Sequence, residues 1–390
     1  MTVVTPADPD VSFVPENPKA FKHGFNRAYI ETLAARLRAA TPAFDDVAYF
    51  EALHSLETLE LKARVQLIAS ALDAGLPLPF PEAVRVLVEL SAGAVDDAQT
   101  TQIELGVWPL SAFVGAHGLG HFEASMSALH ALTQRSSAEF DIRPFLVEHP
   151  ERTLAVLDLF VTDPSEHVRR LVSEGTRTRL PWGRQLKAFI ADPRPVVTRL
   201  SRLIDDPSPY VRRSVANNVN DISKDHPSLA ITVCRGWLLE ADTDGRREIV
   251  KRALRSLVKA GDPEALSTIG HGLGRFAIEH FEADTEVSIG GSLGFSFAVQ
   301  ALGATAASTV IDYRVHYLSP RGLRSPKVFK LDTRIFEPGA PLRSATPHAP
   351  RQRSRARSRH APAGTPGRWA RGLRDKLRVE ELILVCCLYV

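Results

Sequence analysis

The chain has 390 residues, room for two domains or one elongated array, and 44% of them are hydrophobic, enough for a sizeable core. Its three cysteines (Cys234, Cys386 and Cys387) form neither a disulfide framework nor a zinc-ligand spacing. With no basic-then-apolar leader and no run of 18 apolar residues, the sequence excludes a secreted, disulfide-stapled or membrane-spanning protein and points to a cytoplasmic one. The net charge of +3 is unevenly spread: residues 343–390 carry +8, which leaves −5 on residues 1–342. Nucleic-acid binding by the body of the chain therefore needs a local basic strip, because the bulk charge argues against it.

Residues 1–20 are rich in Pro, Asp and Val without periodicity and read as an extended arm. From about 21 to 270, within a repeat domain placed at 21–280, the apolar residues recur at three- and four-residue spacing, as in 56–72, 84–90 and 122–134, which predicts helices. Pro77, Pro79 and Pro81 and the Ser/Gly/Asp clusters at 91–97 and 115–120 interrupt the pattern. Strands do not alternate with helices and no glycine-rich turn follows a strand, so an α/β nucleotide-binding fold is disfavoured.

An internal repeat organises this region. Asp163-Pro-Ser-Glu-His-Val-Arg-Arg-Leu-Val returns as Asp206-Pro-Ser-Pro-Tyr-Val-Arg-Arg-Ser-Val, an offset of 43 residues. A period of 40–47 residues with two helices marks HEAT-type repeats, in which neighbours supply the core that one helix pair lacks. The expectation is that Asp caps the second helix, that Pro sits in its first turn, and that Val168/Val172 and Val211/Val215 face the neighbour. An irregular helical bundle is the alternative.

Beyond residue 280, the stretches 287–301, 308–318 and 325–336 alternate with period two between Gly/Ser/Pro turns, the pattern of an immunoglobulin-like β-sandwich over 281–342. Three or four strands are legible where a sandwich has about seven. Residues 343–390 are Arg/Pro/Ala-rich and aperiodic and end in a short apolar run. They read either as a natural basic low-complexity tail or as a frame change that cost the last strands, with the half-built sandwich favouring the second. The fold class is thus mainly α: a HEAT-like helical-repeat solenoid followed by an incomplete β-sandwich segment and a basic tail.

On a helical wheel Arg213, Asn217, Asn220 and Lys224 share a stripe opposite Val211, Val215 and Ile222, and Arg170, Glu174 and Arg177 hold the corresponding places one repeat earlier. Arginine and asparagine are donors for phosphate oxygens, so a basic strip on an acidic body reads as a nucleic-acid track. Arg169 and Arg212 have an alternative role, pairing with an Asp of the adjacent turn. Asn217 and Asn218 have another, hydrogen bonding between repeats. Cys234 reads as inert core.

Three segments then carry a resemblance: 121–146 (HFEASMSALHALTQRSSAEFDIRPFL), 167–182 (HVRRLVSEGTRTRLPW) and 210–227 (YVRRSVANNVNDISKDHP). With them, residues 15–342 closely resemble the AlkC family of bacterial alkylation-repair DNA glycosylases, HEAT-like proteins that often carry a C-terminal immunoglobulin-like domain. The resemblance implies action on alkylated double-stranded DNA, and a monomer is expected because nothing in the sequence suggests an obligate oligomer. It implies release of cationic bases such as 3-methyladenine, and also 3-methylcytosine, with no metal or organic cofactor. Against the related AlkD pattern, Asn217 and Asn220 stand where a tryptophan and an arginine are expected, so an aromatic cleft built on those positions is absent.

A cationic leaving base needs no strong general acid. What the reaction needs is a carboxylate that stabilises an oxocarbenium-like deoxyribose and holds the attacking water. Glu123, on the helix face with Ser127, His130 and Gln134, is one candidate, surface decoration being its bland alternative. Asp158, inside the apolar helix 154–160, is the other, with an inter-repeat salt bridge as its alternative, and Asp225 is held in reserve. Trp182 stacks on a base or plugs a repeat junction, and Arg177 and Arg179 of the same loop are expected phosphate contacts. A non-catalytic DNA-binding scaffold and a protein-interaction adaptor are the competing functions.

Overall fold

The computed structural model describes residues 20–92 and 106–271, and, beyond them, strand-forming stretches between 276 and 342 and between 376 and 389. The N-terminal arm and the Arg/Pro-rich run at 343–375 lie outside the described residues. Two compact units result, Met1–Ile222 and Ser223–Val390.

The first unit is a helical-repeat solenoid. Its helices are α1 (Arg27–Ala40), α2 (Asp46–Ala52), α3 (Leu61–Gly75), α4 (Phe80–Ala92), α5 (Trp108–His117), α6 (Phe122–Thr133), α7 (Arg143–Glu148), α8 (Pro150–Phe160), α9 (Glu166–Gly175), α10 (Lys187–Ala191), α11 (Arg194–Arg202) and α12 (Pro209–Ile222). Packing is between neighbours: α3 lies on α2 and α5, α4 on α6, and α9 on α12. Val168, Leu171 and Val172 of α9 meet Val211, Val215 and Val219 of α12 in a fully buried seam, the core that the 43-residue repeat requires.

The repeat motif differs in detail from its expected caps. Asp163 and Asp206 stand two to three residues before their helices, where a side-chain oxygen accepts from the backbone N–H of Ser165 and Ser208 respectively. They close Asx turns across the Pro instead of capping. At Asp262 the expected cap is present: its carboxylate accepts from Ala265 N–H, with Pro263 in the first turn. Each repeat Asp is also gripped by a basic residue of an earlier helix, Asp163 by His130 at 2.7 Å and Asp206 by the Arg169 fork at 2.6 and 3.0 Å. Arg169 thus takes the structural role open to it in the sequence. It also donates to the carbonyls of Asp163 and Pro164, as Arg212 does to those of Asp206 and Pro207.

The second unit holds α13 (Pro227–Glu240), α14 (Asp244–Ala253), α15 (Arg255–Ala260) and α16 (Pro263–Thr268), followed by strands. The helical pattern ends at Thr268, and β1 (Phe276–Ala283) begins before the expected boundary of 280. A register shift between Glu279 and Glu282, with His280 at φ 53°, breaks the period-two alternation there, which is why it reads poorly as a strand. Strands β2 (Glu286–Ser288), β3 (Phe295–Ala301), β4 (Ala307–Ser319), β5 (Gly322–Leu323), β6 (Lys327–Phe336) and β7 (Pro341–Leu342) follow. β3 pairs antiparallel with β1 and β7, and β4 with β5 and β6. From the tail, β8 (Lys376–Arg378) pairs with β2, and β9 (Leu382–Tyr389) pairs with β4 over eight residues, so the terminal apolar run enters a sheet. The strands make a β segment consistent with an incomplete immunoglobulin-like domain. No helix among the described residues is long and apolar enough to cross a membrane.

Candidate carboxylate and tryptophan site

The densest buried charge in the first unit lies where α9 and α12 meet the turn between α6 and α7. Arg170 of α9 donates to Glu139 at 2.5 Å and to Ser137 at 2.6 Å, and its second Nη lies 3.5 Å from Glu174. Arg177, just past α9, donates to Glu174 at 2.6 Å and through Nε to Asp221 at 2.8 Å. Ser173 donates to Ser214, which donates to Glu174 at 2.6 Å. Asn218 bridges from α12 to the Ser173 carbonyl and the Thr176 hydroxyl. The Tyr210 ring lies under the Arg170 guanidinium, 5.0 Å from its centroid.

Three carboxylates thus share two guanidinium groups in direct contact. Burial works against the Arg177 charge, but the hydrogen bond it donates to Asp221 and the field of Glu174 outweigh it and hold that guanidinium above its ordinary value. Side-chain exposure falls from Glu139 (15%) through Glu174 (7%) to Asp221 (2%), so Glu139 is the member nearest solvent. Three buried polar atoms of these segments, Arg170 Nε, Thr178 Oγ1 and Asn218 Oδ1, have no hydrogen-bond partner among the described residues.

The loop leaving α9 carries a second unusual residue. Trp182 is 70% exposed and has φ 63°, in the left-handed region that a bulky side chain enters at a cost of about 1–3 kcal/mol. The loop is well anchored. Leu180 is buried, Gly183 N–H donates to the Leu180 carbonyl, and Leu186 N–H donates to the Thr178 carbonyl. At the loop's root a Cβ on Gly175 would come within 2.7 Å of Ile142 Cγ2, so only glycine permits that approach.

The residues singled out in the sequence fall in three kinds of place. Arg170 and Arg177, expected on an exposed phosphate strip, are instead buried in the carboxylate network, because their stripe faces the neighbouring repeat. Asn220 is likewise 1% exposed, and Asn217 is half-buried, whereas Arg213 and Lys224 are exposed. Arg179 and Asp225 are half-buried. The two carboxylates expected to act stand elsewhere and apart from this network. Glu123 is 84% exposed beside Arg152 at 2.6 Å, and its own backbone amide, aided by Arg152, holds its carboxyl below the usual range. Asp158 is not enclosed by apolar side chains: it is 39% exposed and bridges to Arg199 at 2.5 Å and Arg202 at 3.1 Å, some forty residues away. Sequence reasoning treated Glu174 as a stripe member, took the segment from Asp221 to His226 as a structural helix end, and passed over Glu139. Arg177 and Asp221 lie 44 residues apart, one more than the repeat offset, so the repeat points towards Asp221, whereas Glu139, 31 residues before Arg170, is not marked by it. Among the described residues no cluster of three or more His, Cys, Asp or Glu side chains is arranged to hold a metal ion.

Comparison with known proteins places this architecture. Residues 277–362 match the family model described as the C-terminal Ig-like domain of uncharacterised protein YhaZ. The chain is 36% identical over 315 residues to the uncharacterized protein YhaZ of Bacillus subtilis (strain 168), covering 80% of this chain and 85% of that one. It also superposes with a TM-score of 0.74 and 34% identity on the Pseudomonas fluorescens alkylpurine DNA glycosylase AlkC bound to DNA containing an abasic site analog, covering 84% of this chain and 90% of that chain.

Proposed function

From the premise that the chain belongs to the family of AlkC and YhaZ, we propose that it is a monofunctional DNA glycosylase that removes cationic N-alkylated bases, 3-methyladenine foremost, from duplex DNA. The observation that carries this is the Glu139–Arg170–Glu174–Arg177–Asp221 network, with its partnerless polar atoms, at the root of a loop that holds a strained, exposed tryptophan.

Glu139 is assigned as the catalytic carboxylate, because it is the network member nearest solvent and Arg170 fixes its position. Cleavage of the C1′–N bond sends the bonding pair to the base nitrogen and neutralises the cationic base, so no proton donor is needed. Positive charge develops on the deoxyribose, where a fixed carboxylate stabilises it, and the same group orients the water and takes its proton as oxygen bonds to C1′. Glu174 and Asp221 hold the two guanidinium groups behind it. Trp182 stacks against the DNA bases beside the lesion, and Arg179, Arg213 and Lys224 contact phosphates.

The test is release of free base from methylated duplex DNA, measured by mass spectrometry, for the parent and for Glu139→Gln, Trp182→Ala, Glu123→Gln and Asp158→Asn. Glu139→Gln is expected to lower release by about 10²-fold or more with DNA binding retained, while Glu123→Gln and Asp158→Asn stay near the parent. Unchanged release by Glu139→Gln, with loss in either of the other two acids, would move the chemistry to Glu123 or Asp158. No release from a parent that binds DNA would leave a lesion-sensing scaffold.

A further inference from the structure

The left-handed Trp182 lies in a loop that two residues reach from outside, one of which, Arg143, also lies in the field of Arg177, Glu139, Asp221 and Glu174. Arg143, at the start of α7, is 1% exposed, and its donors go to main-chain carbonyls on both sides of the tryptophan. They reach Gly175 at 2.8 Å and Arg177 at 2.9 Å before it, and Arg184 after it, the last through Nε at 2.8 Å and through Nη2. A planar fork that spans three carbonyls in this way is specific to arginine. Lys62 of α3, 120 residues from Trp182 in sequence, donates to the tryptophan's own carbonyl at 2.6 Å, and its ammonium lies 5.5 Å from the Phe140 ring centroid.

We propose that Arg143 and Lys62 are positioning residues that hold Trp182 in its left-handed, outward-projecting conformation before DNA arrives, an inference that rests on the stacking role given to that indole. A loop left to itself relaxes a bulky residue out of the left-handed region. Here the carbonyls of Gly175 and Arg177 before the tryptophan, its own carbonyl and that of Arg184 after it are fixed from two other elements, which limits how the backbone at Trp182 can relax. Preorganisation of this kind removes the ordering cost from the binding step, and a small misplacement far from the chemistry is felt as a large loss of rate.

The experiment uses the full chain labelled with 5-fluorotryptophan. Four tryptophans (Trp108, Trp182, Trp237 and Trp369) give four fluorine resonances, and Trp182→Phe assigns the one in question. Lys62→Met and Arg143→Lys are expected to shift or double the Trp182 resonance while that of buried Trp237 stays in place. Base release should fall by about tenfold or more, and neither substitution should lower it further in a Trp182→Ala background. An unmoved Trp182 resonance in Lys62→Met, an exposed site where folding is not at stake, would overturn the proposal. So would an equal further loss in the Trp182→Ala background. Absence of base release from the parent would refute glycosylase function alone, because the fluorine spectrum of the free protein still decides how Trp182 is held.

Discussion

Asp141 offers the sharpest test of the energetics around this site. It is 4% exposed between the α6–α7 turn and α5, where it accepts a 2.6 Å hydrogen bond from Ser111 and lies so close to Gly115 that a Cβ there would come within 3.1 Å. Burial pushes its carboxyl from 3.8 up to about 7, the field of Glu139 adds to the rise, and Ser111 and Lys62 oppose it. The folded state therefore holds this proton more tightly than the unfolded chain. Stability from this group is full below pH 3.8, declines as the unfolded chain ionises first, and is gone above about 7. The difference between those two values corresponds to about 4 kcal/mol, of which about 3 kcal/mol falls between pH 5 and 8. Asp141→Asn removes the proton and keeps the shape. Urea unfolding followed by circular dichroism at pH 5, 6, 7 and 8 should show the parent losing about 3 kcal/mol relative to the variant as pH rises. In Ser111→Ala the decline should extend to higher pH, since that hydroxyl favours the ionised form. Parallel pH dependences for the parent and Asp141→Asn would refute the reasoning.

Three further outcomes follow from the packing. Asp206→Ala strands the Arg169 guanidinium and opens the Asx turn at Ser208, so it should cost about 3–5 kcal/mol in urea unfolding, and a double-mutant cycle with Arg169→Ala should show coupling above about 1 kcal/mol. Phe145→Ala removes a fully buried ring that packs edge-on against Phe122, for a loss of about 3–5 kcal/mol by the same measurement. Cys234 is fully buried and burial pushes its thiol up to about 12, so peptide mapping after iodoacetamide at pH 8 should find it unmodified in the folded protein and alkylated in urea.

The repeat was legible because it is written in local chemistry. Asp-Pro-Ser marks the turn, Val-Arg-Arg marks the start of a helix, and 43 residues separate the copies, so the pairing of α9 with α12 follows from sequence. The periodic runs at 84–90 and 122–134 became α4 and α6 for the same reason, while 56–60 became a short 3-10 turn ahead of α3. What the wheel cannot give is which polar stripe faces water. Arg170, Glu174 and Arg177 sit opposite the apolar stripe, yet a repeat helix has neighbours on more than one side, and the next repeat covers them. Asp158 takes its alternative role, a salt bridge to another helix. Its apolar flanks suggested enclosure, but Arg199 and Arg202, contributed by α11, meet it at a half-open surface that a one-helix view cannot contain.

The same geometry bears on how, under the proposed function, an acidic body would serve a cationic lesion. Phosphate binding wants exposed cations, and Arg213 and Lys224 remain exposed for it, whereas Arg170 and Arg177 are buried and bound to acids. A guanidinium enclosed by carboxylates contributes little to DNA affinity, but it fixes those carboxylates to within a hydrogen bond of one position. Truncating such a network from within is costly, because each charge left behind is buried without its partner. Stability alone does not account for that arrangement, since a well-packed apolar cluster of the same volume does as well. What an apolar cluster lacks is a rigid negative charge at the edge of solvent, which is what the proposed chemistry asks for. Glu139, tied through Arg170 to Glu174 and through Glu174 to Arg177 and Asp221, supplies that charge from three separate chain segments, and none of the three carries the site alone.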